Sequence, residues 1–543
     1  MSGADAAISA ALMAPERCGS DIWSAVADPT ALSDIWSARG GPYLQIGACP
    51  TTIVGAMPYL RIVLVTMAAS LSLAFAEVPP PTLFDTDWGD RSDFEAALID
   101  PAELAHVPDA DVYHLHLDLA RDLRYVWGEL ELHFTNRGGE PLDAVVLRLL
   151  PNVLGSEMDV SGVRVNGRGV GWTLEADGSA LRVHLREALE PGGSLILRAD
   201  FSVEVAVEPV TAYGRLGRFE DALSLAHGYP LAAVFDEESA EWDTRIPAEY
   251  GDPLFAEVAL YRVRVDAPAE VKLIGTGAKV ERELLGDRQQ VTFAVGPARD
   301  FYLAAVEDYV EQRLSLGPVT IRSFTPAELA FGAWHGLNVA REALALFERS
   351  YGPYPYRELD IVAIPVTAGG IEYSGVLTVA NSFYVEPDGF FETIIVHEVA
   401  HQWFYLLVGN DQLGEPWLDE ALTQYATWRY YREVRGEAAA AEFRAYLLDT
   451  WAGAGFEELP IGLPVEAYTP EEYGAILYGR GPLFFEALEG ELGASLVEDI
   501  LRDYAKRYRW RIATGEDLQR VAEEHCECDL TPLFDEWLRG VAR

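Results

Sequence analysis

Apolar and polar residues alternate in short runs from Val112 to about Val310. In Tyr113-His114-Leu115-His116-Leu117-Asp118-Leu119 the period is two, the pattern of a strand with one face against a core. The leucines then point inward, and His114 and His116 are expected on the solvent face. Residues 128–134, 144–150, 181–185, 194–203 and 258–265 repeat the pattern. Turn signals at Asn136-Arg137-Gly138-Gly139, Asn166-Gly167 and Pro191-Gly192-Gly193 separate them. This predicts an antiparallel, sandwich-like or saddle-shaped β domain over residues 108–311.

Beyond Leu314 the period changes. A helix is expected from Pro326 to about Tyr351, then strands over 360–364 and 376–379. Two further helices follow. The first carries Phe391, Thr393-Ile394-Ile395-Val396, Val399, Ala400, Trp403 and Phe404, so it is apolar nearly all round and belongs in a core. The second runs from Glu415 to about Arg435, with Pro416 suited to its first turn. Residues 438–451, 480–492, 496–508 and 515–525 read as additional helices. No internal repeat is present. Residues 312–543 therefore form a mainly helical second domain, and the chain is a multidomain α and β protein.

The apolar helix carries the candidate chemistry. His397-Glu398-Val399-Ala400-His401 places two imidazoles at i and i+4, on one helical face. Glu420, in Trp417-Leu418-Asp419-Glu420, follows His401 after 18 intervening residues. Two histidines and a glutamate from a separate helix make three ligands of a tetrahedral zinc, with the fourth position open, as in a catalytic site. Glu398 is then the base for zinc-bound water. A buried carboxylate and two buried imidazoles need partners, which a metal supplies. The bland alternative for Glu420 is an i, i+4 contact with Gln424.

These residues, together with Gln402-Trp403, resemble the zinc site of the gluzincin aminopeptidases, the family of aminopeptidase N and the bifunctional leukotriene hydrolase. Upstream, Gly369-Gly370-Ile371-Glu372-Tyr373 resembles the family's Gly-Ala-Met-Glu-Asn exopeptidase loop. Downstream, Leu477-Tyr478-Gly479-Arg480-Gly481 resembles the segment of its catalytic tyrosine, and residues 514–538 resemble the end of its catalytic domain. The resemblance implies a thermolysin-like catalytic domain holding one Zn2+ per chain on His397, His401 and Glu420. It makes Glu398 the proton carrier and Tyr478, in competition with Tyr473, the donor to the oxyanion. Glu372 would pair with the α-ammonium of a peptide with a free N-terminus, while Gly369, Gly370 and Ile371 line the substrate. Gly370, Ile371 and Tyr373 depart from the common loop. A β-branched Ile371 is stiffer than methionine, so a narrower preference for the first residue is expected. The loop of the β domain that reaches the cleft is expected at His227-Gly228-Tyr229-Pro230, leading to Phe235-Asp236 and Trp242. Longer family members add an α-solenoid, so a more open cleft is expected here. The rival functions are a zinc endopeptidase, an epoxide hydrolase, or a catalytically silent peptide-binding scaffold.

Composition narrows the partners. Lys+Arg 41 against Asp+Glu 86 gives a net charge of −45, which argues against nucleic acid or anionic membrane. Half the residues are apolar, enough for a large core. Residues 57–76 read as a signal peptide. Arg61 gives the positive start, residues 62–75 the apolar stretch, and Ala74-Phe75-Ala76 the cleavage site before Glu77. Met57 is then the expected start, residues 1–56 an upstream misreading, and the protein exported to the periplasm or outside the cell. The alternative is a weak internal anchor, since the apolar stretch is shorter than the ~20 residues of a stable membrane span. Residues 77–107, opening on Val78-Pro79-Pro80-Pro81, read as a linker with a helical patch around Phe94 to Leu104 inside it. Cys526 and Cys528 read as local surface cysteines. The sequence sets no oligomeric state.

Overall fold

The computed structural model describes residues 82–540 apart from 86, 454 and 456–458. The expected signal peptide, Cys18 and Cys49 lie outside the described residues. Among the described residues no helix is long and apolar enough to cross a membrane.

Among the described residues the alternating runs build a β-rich region from three larger sheets and a two-stranded ribbon, Phe235–Asp236 with Glu241–Trp242. The largest has eight strands, in the order Ala278–Leu285, Arg288–Ala298, Ala259–Pro268, Asp111–Leu119, Tyr125–Thr135, Ser194–Glu204, Glu157–Val165 and Arg168–Gly169. Neighbours are antiparallel with one exception: Asp111–Leu119 runs parallel to Ala259–Pro268, Leu115 facing Val263. The expected all-antiparallel sheet is thus closed by one long-range parallel pair. Two four-stranded sheets complete the region, one ordered Lys272–Gly275, Tyr302–Val306, Ala222–Ala226, Leu216–Arg218 and the other Leu231–Ala232, Leu142–Arg148, Ala180–Leu189, Trp172–Glu175.

The expected linker and the expected exposure of His114 are both corrected, for one shared reason. Residues 87–107 are not a free tether. Phe94–Ala97 and Pro101–His106 are 3-10 turns, with Phe94, Ala97, Leu98 and Leu104 buried. Glu103 accepts two hydrogen bonds from Arg509, at 2.7 and 2.8 Å, and one from the Trp510 indole at 2.7 Å. The segment packs back over the outer face of the large sheet. Trp88 stacks on His114 at 4.2 Å and Phe84 meets it edge-on at 4.9 Å, which buries that imidazole. His116 is half-buried and bonds Asp266 at 2.6 Å.

The second region opens with a hairpin, Val310–Leu316 and Val319–Thr325, that the sequence pattern does not announce. It starts a five-stranded sheet completed by Glu358–Ile364, Val376–Ala380 and the edge strand Gly370–Tyr373. Helices Ala330–Tyr351, Gly389–Ala400 and Glu420–Tyr430 pack beside it and are followed by the remaining helical elements. Arg299 locks the two regions together. Its guanidinium is buried and donates to the carbonyls of Tyr405, Leu406, Ala256 and Arg511 at 2.6–3.2 Å. Four acceptors compensate the desolvation of one charge. Gly409 makes this contact possible, since a Cβ there would lie 2.2 Å from the guanidinium carbon.

Candidate active site

Helix Gly389–Ala400 is fixed at its start by Asp388, whose carboxylate caps the N–H groups of Phe390 and Phe391 at 2.9 and 3.1 Å. From Phe391 to Ala400 almost every side chain is buried, as an apolar helix requires. Helix Glu420–Tyr430 crosses it. Thr393 Oγ1 meets the Tyr431 hydroxyl at 2.9 Å, and the Tyr430 hydroxyl donates to Glu392 at 2.8 Å.

At the crossing, His397, His401 and Glu420 converge with ligand atoms within 4.8 Å of one another. His397 Nε2 lies 3.1 Å from both His401 Nε2 and Glu420 Oε2. The opposite ring nitrogens face acceptors: His397 Nδ1 is 3.0 Å from Gln424 Oε1, and His401 Nδ1 is 2.8 Å from Asp419 Oδ1 and 3.0 Å from the Phe404 carbonyl. With the hydrogen on each Nδ1, both Nε2 lone pairs face one spot beside a carboxylate. That donor set fits a divalent cation such as zinc and would be repulsive without one. Gln424 is thus not a helix-surface partner of Glu420; it orients His397.

The edge strand Gly370–Tyr373 runs alongside. A Cβ on Gly370 would come within 2.5 Å of Glu398 Oε1, so the carboxylate lies directly against the strand backbone. Glu398 Oε2 is buried without a hydrogen-bond partner. Glu372, Glu398 and His401 also place ligand atoms within 4.8 Å of one another. Gln402 holds this arrangement: it donates to the Tyr373 carbonyl at 3.1 Å and accepts from Gly375 N at 3.0 Å. The residue after the second histidine thus staples the Glu372 strand to the helix.

The β region reaches the cleft through Tyr213, Arg215, Gly251 and Asp252, which the sequence reading did not single out. The expected loop, residues 227–242, does not line the cleft: His227 is buried behind it, with its ring 6.0 Å from Tyr373. Ala212 and Tyr213 both have φ in the left-handed region, at 47° and 62°. Such strain in consecutive non-glycine residues concentrates at functional sites, and no pattern in one sequence reveals it. Arg215 donates to Asp252 at 3.0 Å and to the Gly251 carbonyl at 3.1 Å, which fixes Asp252 toward Glu372 and Asp419, within 4.8 Å.

The cleft, about 290 Å³, also takes in Ile371, Tyr473 and Tyr478. Five carboxyl groups (Asp252, Glu372, Glu398, Asp419 and Glu420) share this region with the Arg215 guanidinium. Burial pushes the Glu398 carboxyl up to about 8. Burial, reinforced by Asp252, raises Glu372 well above the carboxylate range. Burial alone would favour a protonated Asp252, but Arg215, a hydrogen bond with Glu420 and the nearby His401 together outweigh it and hold the group below the ordinary range. A cleft crowded with carboxyls attracts cations. Burial, with Glu420 next to it, raises the Tyr478 phenol well above its ordinary range, so that hydroxyl remains a proton donor. Cys526 and Cys528 are joined as a disulfide, a pairing the reading of them as local surface cysteines did not include.

Residues 335–537 match the family model described as the Peptidase family M1 domain. Aminopeptidase M1 of Arabidopsis thaliana is 26% identical over 304 residues, covering 52% of this chain and 34% of that protein. Aminopeptidase 2 of Candida albicans is 24% identical over 436 residues, covering 75% of this chain and 46% of that protein. The chain thus spans less than half the length of these relatives. Among solved structures, the M1 zinc metallopeptidase of Deinococcus radiodurans shares the fold, with a TM-score of 0.60 at 21% identity, covering 79% of this chain and 93% of that one. Residues 335–537 thus carry a domain similar to the M1 peptidases, and these matches support an aminopeptidase N-like, gluzincin family for it.

Proposed function

We propose that this chain is a zinc-dependent aminopeptidase that removes N-terminal residues from peptides, with one Zn2+ on His397, His401 and Glu420. The observation that carries this reading is the placement of Glu372 and Glu398 on one spot beside the two facing imidazoles. When bound, zinc supplies a Lewis acid for the scissile carbonyl and lowers the pKa of water so that a nucleophile is available at neutral pH.

The chain's own residues do the rest. Glu398 accepts the proton of the attacking water and returns it to the leaving amine, bringing about 10²–10⁴-fold. Tyr478 donates its phenolic hydrogen to the developing oxyanion. Gly369 and Gly370 leave the strand backbone open to an extended peptide. Glu372, with Asp252 and Asp419 behind it, receives the α-ammonium and so sets the cut one residue from the end. A substrate without that ammonium leaves Glu372 buried with only the Gln412 amide, at 3.3 Å, as a donor. The Deinococcus radiodurans neighbour has a structure with a Tyr-ser-ala substrate bound, in keeping with a peptide in this cleft. The signal pattern at residues 57–76 supports an exported enzyme.

Acetylating the N-terminus of a test peptide tests the exopeptidase reading. The expected result is a loss of at least about 100-fold in kcat/KM, the scale of a missing polar partner at a site built for it. Undiminished cleavage of the blocked peptide would favour an endopeptidase instead. A panel of Ala, Leu, Phe and Arg anilides checks selectivity at Ile371; equal rates on all four would remove the narrow-preference idea.

A further inference from the structure

The cleft has a direction, and it ends in an apolar rim that neither the metal nor the amine site uses. A Cβ on Gly369 would lie 3.1 Å from Ile394, and one on Gly370 would lie 2.5 Å from Glu398. Glu372, two residues further, meets Gln412 at 3.3 Å. Along this strand the order is therefore Ile394, then the reacting centre at Glu398, then the carboxylates that receive the ammonium. The leaving part of a peptide must run the other way, past Ile394 toward the start of the helix.

One turn before Ile394 stands Phe390, and facing it from helix Glu437–Ala452 is Tyr446. Both line the cleft. They are 42% and 36% exposed, among the large apolar side chains left in solvent. Their ring centroids are 6.3 Å apart at 61°, and Phe383 backs Phe390 at 5.5 Å. Two edge-facing aromatic rings at the mouth of a cleft form a ready contact for an apolar side chain.

We infer that Phe390 and Tyr446 form a specificity site for the leaving peptide, taking an aromatic or large aliphatic side chain at the fourth or fifth substrate residue. This rests on the aminopeptidase reading above and adds the class of peptide it prefers. The register follows from length. Phe390 precedes Glu398 by eight residues, about 12 Å of helix, and an extended chain at about 3.3 Å per residue covers that in three to four residues.

Kinetics on zinc-loaded full chain test this with Ala-anilide and with unblocked pentapeptides Ala-Ala-Ala-X-Ala and Ala-Ala-Ala-Ala-X, where X is Phe, Leu, Ser or Asp. In the wild type, kcat/KM is expected to favour Phe or Leu over Asp at least tenfold at one of the two positions. In Phe390→Ser and Tyr446→Ser that ratio is expected to fall to about twofold. Because the ratio is taken within each variant, loss of folded protein cancels. Indifference to X in the wild type, or an unchanged ratio in both variants, overturns the inference while anilide hydrolysis leaves the aminopeptidase reading standing. Failure to hydrolyse the anilide and every pentapeptide overturns both.

Discussion

Glu398→Gln is expected to keep its full zinc content and lose about 10²–10⁴-fold in kcat, the contribution of a positioned general acid–base. The two outcomes separate because the carboxylate is not needed to shape the metal site. His397 is held by Gln424 and His401 by Asp419 and the Phe404 carbonyl, all independent of Glu398. The glutamine side chain has the same shape and fits against Gly370, yet it cannot take a proton. Metal analysis and steady-state kinetics on the same preparation read both quantities. Activity within tenfold of the wild type would remove Glu398 from the chemistry, and loss of zinc would show that it holds the metal site together.

Tyr478→Phe carries the second large effect, about 10²–10³-fold in kcat with little change in KM, as expected for a donor used only in the transition state. The side chain is half-buried on a π-helical turn, Ile476–Arg480, with its ring 5.6 Å from that of His397. Glycines fix the turn. A Cβ on Gly479 would lie 2.6 Å from Trp451 N, and one on Gly481 2.4 Å from the Ala421 Cβ. The turn can therefore press onto both the Glu437–Ala452 helix and the helix that begins at Glu420. Tyr473, the competing tyrosine, lies against Gly251, where a Cβ would be 3.1 Å from its hydroxyl. Tyr473→Phe is expected to cost less than tenfold. The reverse ranking would transfer the oxyanion role to Tyr473.

Much of this site is legible in the sequence because its elements are local. Two histidines four apart need only a helix to meet, and the apolar surroundings of His397 and His401 fix that helix in a core. Glu372 is legible only through resemblance, since nothing in Gly-Gly-Ile-Glu-Tyr by itself places it opposite the metal. The β-domain residues that complete the cleft are set by long-range closure. Tyr213 and Arg215 lead into a sheet that pairs Leu223 with Ala305, and Asp252 precedes the strand that pairs with Asp111 through Ala259. The same closure explains why residues 87–107 pack against the sheet rather than hang as a linker. The prolines before them suggest a tether, but Phe94 and Leu98 gain a core once the large sheet exists, and the segment then covers His114. Local periodicity gives faces and elements. It does not say which neighbour arrives to bury them.

The most direct measurement is activity during removal and return of metal. Chelation followed by dialysis is expected to reduce hydrolysis of an N-terminally free peptide to background, and one equivalent of zinc per chain to restore it. Undiminished turnover in protein shown by elemental analysis to be free of transition metals would contradict the account at its centre.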